Sequence, residues 1–461
     1  MTGVQVGVLA YVLVQFAIGL WVARRIKTTT DFLVAGRSLG LGLVSFSVFA
    51  TFFGAEAIVG TSGAVYEEGL SGGRIDPFGY AVAIFIAGAL FAVPLWKRGI
   101  ITFADFFRQR FSPGVEKLVV LVLLPGSMFW AAAQIRAFGQ VVSATSGLDV
   151  SVAITVAVVL VVAYSVLGGL LADAWTDLIQ GVAIVLGLVV LAVVVAGQVG
   201  GVAEGLANVD SDRVQALTIG DEGWLGLIES FAIPICGTVV AIEIISRILG
   251  ARSAEVAARG AMLGGAIYLV VGAIPVFLGL VGPQLLPQVD DAEQIVPLLA
   301  EAHLPGVLYV MFAGAVISAI LSTVDSVLLA SSGQVSHNIV ERVMPWLDDR
   351  GRLLLNRVVL ALLAVFAFAM ALTADRVKDL VETASAAGSA GVFVVAVFGL
   401  FTRFGAQHAA MATILAGALG WLIFGMLEIE TPYVAALALA LVTYVTTAII
   451  ERRASRCPVA G

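Results

Sequence analysis

The stretch Ala315–Ser326 carries Ser318, Ser322, Thr323, Asp325 and Ser326 inside an apolar segment long enough to cross a bilayer. On a helix Ala319, Ser322, Thr323 and Ser326 recur at the i, i+3, i+4, i+7 spacing and Asp325 follows Ser322 by three, so their oxygens gather on one side. An ionised Asp at mid-span costs roughly 2.5–3.5 kcal/mol on insertion scales, so it turns to a polar interior and marks an ion or solute path. Hydroxyls, carbonyls and one or two carboxylates, with no Cys or His among them, form the ligand set of a hard cation. The competing account is a Ser/Thr stripe that packs helices closely or bonds back to its own carbonyls.

A second stretch, Ala50–Gly63, interrupts an apolar span with Gly54, Glu56, Gly60 and Gly63. Glycine and polar residues weaken a helix, and a break at membrane depth is tolerated only where the freed backbone lines a cavity. Such a break offers carbonyls to a cation and helix N-termini to an anion. The span Leu225–Leu249 has its own interruption at Pro234–Thr238, followed by Glu243. Either alone is a plain kink. Paired breaks half a repeat apart are the pattern of an inverted-repeat transporter with a midplane site.

The elements that must hold these residues follow from composition. With 60% hydrophobic residues, 12% charged and a mean hydropathy of +1.05, the chain is excluded from the soluble globular class, which carries about 25% charged residues. It reads as a polytopic membrane protein. Cys236 and Cys457 give no disulfide framework, and three histidines leave little for a metal centre. A net charge of −7 does not describe a nucleic-acid binder. The run Gly3–Ala23 has no basic residue before it and Arg24, Arg25 and Lys27 after it, the reverse of a signal peptide, so it is expected to be a retained span with its N-terminus outside. From there to Ile450 the apolar runs make about thirteen spans. That alternation puts about twenty Lys/Arg inside and four outside, as the positive-inside rule requires of a multi-pass cell-membrane protein with a cytoplasmic C-terminus. Ile100–Arg110 reads as an interfacial amphipathic helix.

A third stretch, Tyr164–Gln180, contains Gly168, Gly169 and Leu170 and then Trp175, Thr176, Asp177 and Gln180. Together with Asp31–Arg37 and Ser318–Ser326 it resembles the sodium:solute symporter family, over a match running from about Asp31 to Arg403. Members of that family carry proline, sugars, pantothenate, sialic acid, carboxylates or urea. The resemblance implies an all-α membrane fold of two inverted five-helix repeats with broken first and sixth core helices. Here the repeats would be residues 40–199 and 225–403, with an extra helix and inner loop in 1–39, an outer loop in 200–224, and two C-terminal helices with a short tail in 404–461. It implies Na+ as the coupling ion and no organic cofactor. The ion would be held by the carbonyls of Ala50, Phe53 and Ala319 and the hydroxyls of Ser322 and Thr323. A second cation site found in some members would fall on Asp177, Ser322 and Ser326. Asp325 stands where those members have a hydroxyl, and either strengthens that site or titrates and couples a proton.

Glu56, Ala57, Arg136 and Glu243 are the candidate solute residues. Ala57 follows Glu56 where the sugar branch of the resembled family has Gln, which removes a sugar hydroxyl partner. Arg136, inside the fourth span, can take a solute carboxylate bidentately, pair with Glu56 or Glu243, or snorkel outward. The expected function is sodium-coupled import of an amino acid or carboxylate by alternating access. The alternatives are sodium- or proton-coupled uptake of a neutral sugar, polyol or urea, and a non-transporting sensor, which the short stretch after Ile450 disfavours. An intramembrane enzyme would need a buried His pair or an activated nucleophile, whereas His303, His337 and His408 stand singly. Expected partners are a small-molecule solute and the lipid bilayer, with no nucleic acid and no obligatory protein partner.

Overall fold

Thr28 and Asp31 close a reciprocal capping box: the Asp31 N–H donates to Thr28 Oγ1 at 3.1 Å and the Thr28 N–H to Asp31 Oδ2 at 3.0 Å. This starts α1, Thr29–Val34, and left-handed Ala35, Gly36 and Arg37 then turn the chain into α2, Leu41–Phe52. The computed structural model describes residues 13–14, 17–18, 20–22, 24–146, 149–215, 223–373 and 377–454. Most of Gly3–Ala23, and Cys457, lie outside the described residues.

The helices that follow include α3 (Thr61–Glu68), α4 (Tyr80–Ile86), α5 (Phe103–Arg110), α6 (Pro113–Ser146) and α7 (Val150–Gln198). After them come α8 (Gly223–Val239), α9 (Ile242–Gly250), α10 (Ala254–Leu285), α11 (Gly306–Val335) and α12 (Asp349–Thr373). The chain closes with α13 (Val377–Ala386), α14 (Ser389–Phe401), α15 (Gln407–Met426) and α16 (Pro432–Ala454). Among the described residues there is no strand, only a parallel bridge in which Leu39 and Ala251 tie the start of α2 to the end of α9.

α11 packs between α6 and α7, and α2 lies against α7 and α10. The outer surface is apolar, with Val193, Val270 and Leu362 each more than 60% exposed, as lipid-facing helices require. Among the described residues eight helices are long and apolar enough to cross a membrane, or nine when the bent pair α8–α9 is one span. The sequence suggests about thirteen apolar runs; α2 and α14 are shorter than a full span, and the first run lies mostly outside the described residues.

The interruptions are displaced from where composition suggests. Gly60 is helical (φ −63, ψ −50) and Gly60–Gly63 run into α3; α2 instead ends at Phe53 (φ −89, ψ 62) and Gly54. Likewise Pro234–Thr238 stay helical, and the bend of 40° falls between Val239 and Ile242. A proline removes one helical hydrogen bond, whereas a break needs extended backbone, which Ala241 supplies (φ −63, ψ 129). In α7 the turn is made at Gly169 (φ +55), where a Cβ would stand 2.7 Å from the Phe32 carbonyl oxygen, so only glycine fits. α5 is not interfacial: Phe103, Phe106 and Phe107 are at most 1% exposed and sit in the protein core.

Candidate functional site

The break after α2 is held by α6. Gln134 Oε1 accepts the Ala55 N–H at 2.8 Å, satisfying a donor that the break releases, and Gln134 Nε2 donates to the Glu56 carboxylate. Trp130 Nε1 donates to the other Glu56 oxygen at 2.8 Å. From the opposite side α11 brings Thr323, whose Oγ1 lies 3.4 Å from the Ala50 carbonyl oxygen and 3.3 Å from that of Ala319. A Cβ on Gly54 would stand 2.8 Å from this hydroxyl, so glycine is what lets α11 approach. Ala50, Ala319 and Thr323 therefore meet at one buried crossing beside the backbone of Phe53.

Ser322, next to Thr323 on α11, donates to Asp177 Oδ1, while Ser47 donates to Asp177 Oδ2 at 2.5 Å. Beside it Arg247, wholly buried, donates to Asp173 and Ser326 and comes within 3.9 Å of Asp177. Ser326 also donates to Asp173 at 3.2 Å. Asp325, 4% exposed, faces Asp173, Asp177 and Arg247. Two carboxylates thus share one guanidinium, with a third beside them. The sequence-derived set of Asp177, Ser322, Asp325 and Ser326 is assembled here, joined by Asp173 and Arg247, which sequence reasoning missed. Asp173 lay in the quoted third stretch, and Arg247 could be read only as one more inner charge.

The solute candidates divide. A cavity of about 690 Å³ is lined by Glu56, Thr61, Glu68, Asp76, Tyr80 and Glu229 among others. A tight one of about 50 Å³ lies beyond Tyr80 and includes Phe52, Trp130, Ser127 and Glu243. Tyr80 lines both, and its hydroxyl shares a hydrogen bond with Ser385 Oγ at 2.8 Å. Glu243 accepts from Ser127 at 2.9 Å. Arg136 lines neither cavity and pairs with neither Glu56 nor Glu243; its Nη1 donates to the Ala371 carbonyl on α12 at 3.4 Å. Ala57 is buried in the core and lines neither.

Away from these cavities Asp105, Glu116, Asn338 and Arg342 form a further network, with His337 Nε2 3.3 Å from Asp105 and its Nδ1 3.2 Å from Glu341. His337 is thus not solitary, and His408 lies 3.1 Å from Glu451. Burial pushes the Asp105 carboxyl up, but the hydrogen bond and charge of His337 and the N–H groups of Ile101 and Thr102 pull it below the usual range, to about 2.

Buried hydroxyls and carboxylates gathered where apolar helices bend, with a cavity between those helices, are features of a membrane transporter. Residues 32–417 match the sodium:solute symporter family, and the chain belongs to it. High-affinity choline transporter 1 of Caenorhabditis elegans is 26% identical over 82% of this chain and 70% of its own length. For the Homo sapiens protein of that name the figures are 26%, 73% and 62%. The high-affinity proline transporter PutP of Bacillus subtilis is 26% identical over 87% of this chain and 88% of its own. The match thus spans 62–70% of the length of these two choline transporters. In fold the chain is similar to a substrate-bound, outward-open Na+-coupled sialic acid symporter, with a TM-score of 0.86 at 16% identity over 98% of both chains. It is also similar to Mhp1, a nucleobase-cation-symport-1 family transporter, with a TM-score of 0.63 over 93% of this chain and 95% of that one.

Proposed function

We propose that this chain is a sodium-coupled symporter that carries a small organic solute inward across the cell membrane by alternating access. Its frame is two inverted repeats, residues 40–199 and 225–403, within about thirteen helices, the N-terminus outside and the C-terminus cytoplasmic. Sodium sits between the carbonyls of Ala50, Phe53 and Ala319 and the hydroxyls of Ser322 and Thr323. The observation that carries this is the Thr323 hydroxyl within 3.4 Å of the Ala50 carbonyl across the break in the first core helix. Asp177, Ser322, Asp325 and Ser326 form a second cation locus. One charge moved down 100 mV supplies about 2.3 kcal/mol, roughly fifty-fold accumulation per ion.

The expectation of a carboxylate solute rested on Arg136, on helix N-termini freed by the interruptions and on Ala57; of these, Arg136 lines neither cavity. Choline and proline, the solutes named for two of the sequence relatives, share an ammonium nitrogen. Of the candidate solute residues, the carboxylates Glu56 and Glu243 line the cavities. The test is uptake of radiolabelled choline and proline into proteoliposomes with an inward sodium gradient, an equal potassium gradient and none. Sodium-dependent accumulation above equilibrium is expected; uptake indifferent to the sodium gradient, across these and a panel of carboxylates and sugars, would remove the symport reading.

A further inference from the structure

Two buried acceptors on α7 stand one helical turn apart, and they are used differently. Asp177 accepts from both Ser47 and Ser322. Gln180 is 1% exposed, yet its Oε1 has no hydrogen-bond partner among the described residues. Buried polar atoms in folded proteins are nearly always paired, so an orphaned amide oxygen at this depth calls for a partner from outside the chain. What it faces follows from the register of α7 against its neighbours. Asp173 meets Ser326 of α11 at 3.2 Å, Asp177 meets Ser322, and a Cβ on Gly187 would stand 3.3 Å from Ala315 Cβ and 3.7 Å from Phe312 Cα. Numbers thus rise along α7 as they fall along α11. Asp173, Asp177 and Gln180 share one face at the i, i+4, i+7 spacing, and Gln180, midway between Asp173 and Gly187, comes opposite Ala319. On α2, Ser47 meets Asp177, and a Cβ on Gly181 would stand 3.4 Å from the Phe49 ring, which brings Gln180 level with Ala50. Ala50 and Ala319 are the carbonyls that the Thr323 hydroxyl reaches at the buried crossing.

We infer that Gln180 supplies a further oxygen to the sodium proposed at the crossing of α2 and α11, its amide carbonyl reaching in from α7. This rests on the sodium reading of that crossing and adds a ligand from a third helix. The chemistry suits a hard cation, which gathers about six or more oxygens. The proposed set from α2 and α11 leaves room for another, and Ser322 within it is shared with Asp177. A neutral amide carbonyl accepts a metal ion but takes up no proton, so it favours sodium over hydrogen ion at this position. Its place on α7 has a consequence for the transport cycle. With Asp177 one turn along the same face, an ion held by Gln180 draws α7 toward α2 and α11 and links the first ion site to the second cation locus.

The test uses the full chain, purified in detergent, with sodium chloride as probe against potassium chloride at equal ionic strength. Radioactive sodium binding and the sodium-induced rise in melting temperature are measured side by side. Gln180→Leu is expected to raise the sodium concentration for half-maximal binding by about tenfold or more. In potassium alone the same variant should melt at or above the unsubstituted protein, because it removes a buried oxygen that has no partner in the chain. Gln180→Glu, which keeps an oxygen in place, should retain most of the sodium affinity. Unchanged sodium binding by Gln180→Leu would overturn the inference while leaving the site of α2 and α11 intact. A Gln180→Leu protein that melts below the unsubstituted one in potassium would also overturn it, since the amide would then be a packing element, and so would equal loss of sodium by the Leu and Glu variants. If the unsubstituted protein binds no sodium saturably, the sodium reading itself fails and Gln180 loses its role with it.

Discussion

Two buried acidic clusters stand on opposite sides of the break at Phe53–Gly54, and they are built on different principles. In the cluster of Asp173, Asp177 and Asp325, the Arg247 guanidinium and the hydroxyls of Ser47, Ser322 and Ser326 supply donors from three helices, α2, α9 and α11, to carboxylates that include two on α7. In the cavity cluster Asp76 accepts from the Tyr268 hydroxyl at 2.6 Å and neighbours Thr61 and Glu56. The first arrangement ties helices together through a buried guanidinium; the second leaves its carboxylates on the wall of a cavity. A carboxylate's role inside a membrane is thus set by which helix supplies its counter-charge rather than by its own depth.

The largest effect expected from this contrast is on folding. Arg247→Met leaves Asp173 and Asp177 buried without their cation, a change that costs about 3–5 kcal/mol. Its melting temperature in detergent should collapse, and adding Asp173→Leu should restore much of it. Asp76→Asn, by contrast, should melt near the unsubstituted protein. Equal melting of Arg247→Met and the unsubstituted protein would mean that the Arg247 cluster is no lock.

Next is the ion. Ser322→Ala with Thr323→Ala should raise the sodium concentration for half-maximal uptake by about tenfold or more, on the order of 1.4 kcal/mol. An unchanged sodium dependence would remove both hydroxyls from the coupling site.

Asp177→Asn separates lock from ion site within one residue. The amide still accepts from Ser47 or Ser322, so the stability loss should be about 1 kcal/mol. Uptake should fall by roughly tenfold or more if the charge holds a cation. Uptake and melting falling in proportion would make Asp177 purely structural.

The smallest effect belongs to Asp105, outside the spans. Its carboxyl is depressed to about 2 from an ordinary 3.8, so its stabilisation is fully present above the ordinary value and lost as pH falls toward 2. On the order of 1–2 kcal/mol is at stake. Asp105→Asn should flatten the acid limb of melting temperature against pH between about 4 and 2; an identical acid limb would show that His337 does not stabilise the charge.

The hydroxyl ladder on α11, Glu56 beside a helix break, and Asp177 were legible because each depends on local spacing: 3.6 residues per turn fixes which side chains share a face. The breaks were legible in kind but not in place, since glycine and proline weaken a helix over several residues and packing decides where it opens. Gly54 carries the break because α11 presses on it there, which no feature of Gly60 or Pro234 discloses.

The chain by itself determined that this is an apolar, many-helix membrane protein of the sodium:solute symporter family, because composition and local motifs are properties of the order of residues. Only the tertiary structure decided what each buried charge faces. Arg136 and Arg247 are both arginines in apolar surroundings, yet one bonds a carbonyl of α12 while the other meets Asp173, 74 residues away, and Ser326, 79 away. Hydropathy gives a residue's depth in the membrane, but its direction depends on how its helix is rotated against its neighbours. That rotation is set by contacts between distant segments.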